Sequence, residues 1–131
     1  MANILIAALA YLLPTFAIAY FWHMRLFADR YKALEIYRDD PIVPFGFASM
    51  LIQSAAFALI YHVIIAPNFE NWLARALLYA VFGALLSWSF TTLAAAAKNR
   101  MNAIGGFIAI ETAFTARQWV AVGLATALRV G

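Results

Sequence analysis

The sequence predicts an all-α integral membrane protein: a four-helix bundle of up-down topology with an amphipathic cytoplasmic extension of the first helix. Three observations predict it. Of 131 residues, 66% are hydrophobic and only 11% charged, against about 25% charged in ordinary soluble domains. Four apolar runs each approach the ~20 residues that a helix needs to cross ~30 Å of hydrocarbon. The links between the later runs are short, so consecutive helices must reverse direction. The whole chain, residues 1–131, reads as a single transmembrane domain with no room for a separate soluble one.

The first run, about residues 4–22, lacks charge and holds Pro14, a predicted kink. No basic side chain precedes it and no small-residue cleavage site follows, so it reads as a retained helix rather than a signal peptide. Residues 23–45 form a charged stretch in which Met24, Phe27, Tyr31 and Leu34 recur at helical spacing. That spacing predicts a continuation of the first helix along the membrane surface, broken by Asp39, Asp40, Pro41 and Pro44. Its charges suit a solvated collar facing lipid phosphates or, alternatively, a dedicated headgroup or partner site. The second helix is expected over about 46–66, with Asn68 capping the third and Glu70 in that helix's first turn. The third covers about 73–97, and the fourth about 105–128.

Orientation follows from the basic residues. Arg25, Arg30, Lys32, Arg38, Lys98 and Arg100 fall on one side, against Arg75 and Arg129 on the other, which places the richer side in the cytoplasm. Both termini are then outside, in the periplasm if the membrane is a bacterial inner membrane. The net charge of +3 is spent at the ends of the apolar runs, which argues for topology and against nucleic acid. Trp22 and Trp72 fit the interfacial belt, while Trp88 and Trp119 fall deep in their spans.

Within the fourth run stand Glu111 and Arg117. Ionisable groups at membrane depth cost at least ~2.5 kcal/mol and commonly serve a site in the interior. Glu111, Thr115 and Gln118 follow i, i+4, i+7 spacing and share one helical face. Counted from the cytoplasmic ends, Thr15, Gln53, Ser54, Ser87, Thr91 and Thr92 reach a similar layer. The candidate ligand-binding set is therefore Glu111, Arg117, Gln53, Ser87, Thr91 and Thr115. Arg117 would contact an anion or carboxylate, and Glu111 would be its counter-charge or a proton carrier. The six-residue separation of Glu111 and Arg117, about 9 Å of rise, makes a direct salt bridge awkward. A purely structural polar network is the competing reading of the same residues.

The third helix carries a stripe of small residues, Ala80, Gly83, Ala84, Ser87 and Thr91, suited to close internal packing or to a homodimer, with Ala109 and Ala113 as a matching surface. His23 and His62 lie near opposite boundaries, so one copy cannot bring both to a haem or metal; each reads as an interfacial or hydrogen-bonded residue. No cysteine is present, and no Walker loop, GxSxG, HExxH or CxxC occurs. No cofactor, metal site or catalytic residue is expected, and an enzyme is disfavoured. An intramembrane enzyme acting on lipids would have only Glu111 with His62 or Ser87 to work with.

The chain resembles small, uncharacterised bacterial four-helix membrane proteins grouped as domains of unknown function. The resemblance rests on Tyr20, Phe21 and Trp22 with the charged stretch after them, on Phe82 and Gly83 followed by Thr91, Thr92, Leu93, Ala94 and Lys98, and on Glu111. It implies a fold and no established activity. The size and the membrane-embedded glutamate are also similar to small multidrug-resistance transporters, in which such a residue serves protons and cationic substrates. Here the glutamate lies in the fourth helix rather than the first, with Arg117 nearby. The expected function is binding or moving a small amphipathic or anionic molecule, or membership of a larger membrane complex. The alternative is proton-coupled export of cations through Glu111. Expected partners are the lipid bilayer, a second copy or larger assembly, and a small-molecule ligand.

Overall fold

The computed structural model describes residues 1–130. The chain is 86% helical, with no strand among the described residues. Five helices follow one another: α1 Ala2–Leu26, α2 Ala28–Leu34, α3 Val43–Asn68, α4 Trp72–Lys98 and α5 Ile104–Val130. By length and composition α1, α3 and α4 could each cross a membrane. The 27-residue α5 is as long, but with Glu111, Arg117, Gln118 and Arg129 it is not apolar enough to join them. It is instead the most enclosed helix, with ten buried residues from Phe107 to Ala127.

α5 lies between α1 and α4, and α3 packs on α1. Side-chain pairs give the directions. His23 meets Glu111 and Thr15 meets Gln118, so α1 and α5 are antiparallel. Trp88 meets Thr112 and Ser87 meets Trp119, so α4 and α5 are antiparallel too. The central core gathers Tyr11, Phe57, Tyr61, Ile65, Tyr79, Trp119 and Val122. A second cluster at the α2 end gathers Trp22, Tyr31, Leu34, Phe107 and Ile110. Only 17%, 28% and 22% of the most apolar stretches of α1, α3 and α4 are buried. Their outward faces carry Leu9, Leu13, Phe16, Leu77, Val81 and Leu85, far more apolar surface than a soluble monomer exposes.

The small-residue stripe packs internally. Gly83 leaves the space into which the Trp119 indole lies, and Gly123 lets α5 approach α4 so closely that a Cβ there would stand 2.7 Å from the Ala76 carbonyl oxygen. The partner of the stripe is thus the Trp119–Gly123 stretch of α5 rather than Ala109 and Ala113.

The expected surface helix differs most from what forms. α1 widens into a π-helical stretch over Tyr20–Leu26 and stops at Phe27, whose backbone (φ −122°, ψ 23°) leaves the helical region. α2 then folds back, burying Tyr31 and Leu34, while Met24 stays 55% exposed. α2 ends at Glu35, which adopts the left-handed conformation (φ 57°), short of the expected Asp39 and Asp40. Its last carbonyls are satisfied by the α4–α5 link: Asn102 donates from Nδ2 to Ala33 O at 2.8 Å and from its backbone N–H to Leu34 O at 3.2 Å. A Cβ in the left-handed region costs roughly 1 kcal/mol that glycine avoids. Glu35→Gly is therefore expected to raise the thermal midpoint in detergent by an amount corresponding to about 0.5–1 kcal/mol. A midpoint that falls would mean that Glu35's side chain matters more than its backbone.

Smaller shifts have local causes. α1 runs through Pro14 without a break. α3 starts at Val43 because Pro44 fits the first turn, where its missing N–H is no loss. α4 is capped by Asn71, not Asn68: the Asn71 side chain accepts from Leu73 N at 2.8 Å and Ala74 N at 3.3 Å. Asn68 turns back to donate to Ile64 O.

Candidate functional site

Glu111 sits two turns into α5, about 10 Å from the helix start at 1.5 Å per residue. It is 4% exposed and shares its buried face with Thr115 (4%) and Gln118 (6%), as their spacing predicts. Its partners come from elsewhere. The Tyr31 hydroxyl of α2 donates to Glu111 Oε1, and His23 Nε2, from the π-helical stretch of α1, lies 3.2 Å from the same oxygen. Trp22, expected in the interfacial belt, is buried and donates its indole N–H to the Tyr31 oxygen at 3.1 Å. The imidazole lies among aromatic rings, 4.5 Å from Tyr31 and 4.8 Å from Phe114.

The proton arrangement follows from donor and acceptor roles. His23 Nδ1 is 3.0 Å from Ala19 O; a carbonyl only accepts, so Nδ1 carries a hydrogen. A neutral imidazole then offers Glu111 a lone pair at Nε2, and a carboxylate offers a lone pair in return. One proton must lie between them, leaving either an imidazolium beside a carboxylate or a neutral imidazole beside a carboxylic acid. Tyr31 does not compete for that proton. Burial, reinforced by the hydrogen bond to Glu111 and its charge, holds the Tyr31 hydroxyl well above its ordinary pKa of 10.0, so it stays a donor at neutral pH. Trp22, Tyr31, Glu111 and His23 thus form one directed chain whose variable element is a single shared proton.

This pair borders an open cleft of about 1290 Å³ between α2 and the linker into α3. His23 and Tyr31 line it, and the carboxyl of Glu111 lies directly behind them. Met24, Tyr37, Ile42 and Phe45 give it apolar walls, and Lys32, Glu35, Arg38 and Asp39 its charges. The His23 side chain is 23% exposed and that of Glu111 6%, so a proton reaches the carboxyl most directly through the imidazole.

The other members of the expected layer do not join this cluster. Arg117 is on the outside of α5, its guanidinium 5.3 Å from the Trp22 ring and bonded to Ala113 O at 3.1 Å. Gln53, half-buried, accepts from the Tyr11 hydroxyl at 2.8 Å. Ser87 accepts from the Trp119 indole at 3.1 Å. Thr91 is exposed and bonds back to Ser87 O at 2.9 Å. Ser54, buried, bonds back to Leu51 O at 2.8 Å. The reason for Thr91 lies in α4, which is π-helical over Ser89–Leu93. In a wide turn the residue five ahead, not four, keeps the same face, and Thr92 is 0% exposed. His62 is exposed near the far end. Among the described residues no group of three or more His, Cys, Asp or Glu is placed to hold a metal ion.

His23 and Tyr31 are the site residues that sequence reasoning missed. His23 was identifiable as a polar residue near the same boundary as Glu111; Tyr31 was disguised as part of an amphipathic stripe. Comparison of the chain with protein-family models, with characterised proteins and with solved structures finds no match.

Proposed function

We propose that this chain is a non-enzymatic, four-span membrane protein that binds or moves a small amphipathic or anionic molecule in the cleft beside His23, under control of the proton shared with Glu111. In this reading α5 is the fourth crossing and closes an up-down four-helix bundle. The basic residues around α2 support a cytoplasmic location for that end, with both termini outside, in this reading across a bacterial inner membrane. The enclosed, polar α5 suits a span shielded from lipid by its neighbours, the usual setting for ionisable residues at depth.

The observation that carries the reading is the His23–Glu111 pair opening onto a cleft lined by both apolar and charged side chains. Ile42 and Phe45 suit an acyl or aromatic portion, and Lys32 and Arg38 an anionic head; Arg38 is only loosely paired with Asp40, at 3.9 Å. Tyr31 and Tyr37, with Lys32, Glu35, Arg38 and Asp39, are the titratable groups facing the pair from α2 and the linker; Arg117 on α5 is turned to Trp22. Protonation of the pair adds positive charge at the cleft floor and should favour an anionic ligand.

Native mass spectrometry of protein extracted gently from its membrane tests this. A retained small molecule is expected in the wild type and is expected to be lost in Phe45→Ala, a variant that removes a 72% exposed side chain and leaves the core alone. A bare chain in both would overturn the binding reading. A foreign subunit in fixed stoichiometry would make the protein part of a membrane complex instead.

One observation favours a second reading. Arg117, which would discourage a cation near Glu111, is held on the Trp22 ring and Ala113 O and forms no ion pair with Glu111, so export of cationic compounds on a protonatable Glu111 is compatible with the site. Cells expressing the protein would then survive toxic quaternary ammonium compounds, and Glu111→Gln would abolish the protection.

A further inference from the structure

Four hydroxyls deep in the core have no hydrogen-bond partner among the described residues, that of Thr92 on α4 among them. Tyr61 and Tyr79 are 0% exposed and their Oη atoms are unpaired, and Thr126 is in the same condition. A buried hydroxyl left unsatisfied has given up its hydration for nothing in return, so such groups are commonly completed by internal water.

The two tyrosines extend a line of polar side chains that begins at Glu111. On α5 the buried face runs from Glu111 through Thr115 to Gln118. Gln118 Nε2 donates to Thr15 Oγ1 of α1 at 3.1 Å. Tyr11 is one turn further along the same face of α1 and donates to Gln53 at 2.8 Å. The Trp119 ring packs between the tyrosines, its centroid 5.6 Å from that of Tyr11 and 5.5 Å from that of Tyr79, while its N–H is taken by Ser87, so any bridge between the tyrosine hydroxyls passes beside the indole through water. Tyr61 lies 5.0 Å beyond Tyr79. One turn from Tyr79 on α4, Arg75 reaches the α3–α4 link and donates to Phe69 O.

We propose that this line is a water-bridged proton path joining the His23–Glu111 pair to the opposite end of the helices. The inference rests on the proton-holding reading of that pair. Each hydroxyl or water in such a path accepts one proton and releases another, so charge moves while every oxygen returns to its starting state. No electron is transferred and no bond other than O–H or N–H changes. Gln53 and Gln118 orient the bridging waters. The path runs from the cleft, through His23 and Glu111, along α1 and α5, and out past Tyr79 and Tyr61 beside Arg75.

The test is proton flux into vesicles holding the full chain and a trapped pH-sensitive dye, driven by a potassium diffusion potential. Wild-type vesicles are expected to acidify faster than protein-free ones. Tyr79→Phe keeps the ring, removes an unpaired hydroxyl and should fold at least as well, yet is expected to slow the flux by about tenfold or more, the effect of a barrier raised by ~1.4 kcal/mol. Tyr20→Phe, outside the line, should conduct as the wild type does. Wild-type flux no faster than protein-free leakage overturns the path, as does undiminished flux in both Tyr79→Phe and Tyr61→Phe. Infrared titration of the Glu111 carboxyl separates the two ideas. A carboxyl that titrates in vesicles that do not conduct removes the path alone; one that never changes protonation removes the pair and the path together.

Discussion

Glu111→Ala is expected to cause the largest loss of stability of any single polar substitution, about 3–5 kcal/mol, read as a drop in the thermal midpoint of the detergent-solubilised protein. Two donors or acceptors lose their partner at once, the Tyr31 hydroxyl and His23 Nε2. Each unsatisfied group costs about 1–3 kcal/mol, and the missing carboxyl adds a cavity term. Glu111→Gln separates the chemistry from the packing. Both contacts go to one oxygen, Oε1. A glutamine oxygen at that place still accepts from Tyr31, but it faces the Nε2 lone pair of a neutral His23 with no proton to share. Turning the amide to offer an N–H to His23 abandons Tyr31. Glutamine satisfies one partner and not both, so its cost should be about 1–2 kcal/mol. Equal midpoints for the two variants would show that the volume of the side chain, rather than its shared proton, holds α2 over the end of α5.

Gly83→Ala is expected to be the most damaging small change in the apolar core. A single Cβ at Gly83 would fall inside 3.0 Å of three atoms of the Trp119 ring. That ring has little freedom to yield. It is 1% exposed, lies 4.6 Å from Phe57 and 5.5 Å from Tyr79, and is hydrogen-bonded to Ser87 on the same face of α4. Overpacking of this kind costs about 1–3 kcal/mol, against a gain in helix propensity of less than about 1 kcal/mol. The midpoint should fall, and most of the fall should vanish when Gly83→Ala is combined with Trp119→Leu, because coupled residues are not additive. Gly105→Ala, with open space around its Cβ position, should leave the midpoint unchanged or raise it. If Gly83→Ala behaves like Gly105→Ala, the indole is not seated against α4.

The reach of the sequence can be judged from particular residues. The helical class and the approximate spans of α1, α3 and α4 were readable because apolar length and the absence of charge are local properties, summed along the chain. The shared face of Glu111, Thr115 and Gln118 was readable for a similar reason: α5 is a regular α-helix from Ile104 to Val130, so 3.6-residue arithmetic stays in register along it. The same arithmetic fails on α4 after Ser89, where the π-helical turn carries Thr91 outward and Thr92 inward.

What only the tertiary structure decided is the company Glu111 keeps. Nothing in the residue types at Phe27 marks a chain break; no glycine or proline stands there. The break exists because Phe27, Tyr31 and Leu34 find a surface on α5 and α4 to pack against, and that folding-back carries Tyr31 onto Glu111. Arg117, six residues along the chain from Glu111, was in turn separated from it by the choice of which face α5 buries, which α1 and α4 make together. Local pattern determined which segments are helical and which residues share a face. The pairing of those faces, and with it the proton shared between His23 and Glu111, depends on contacts between residues 88 positions apart, for which a pattern within one helix carries no information.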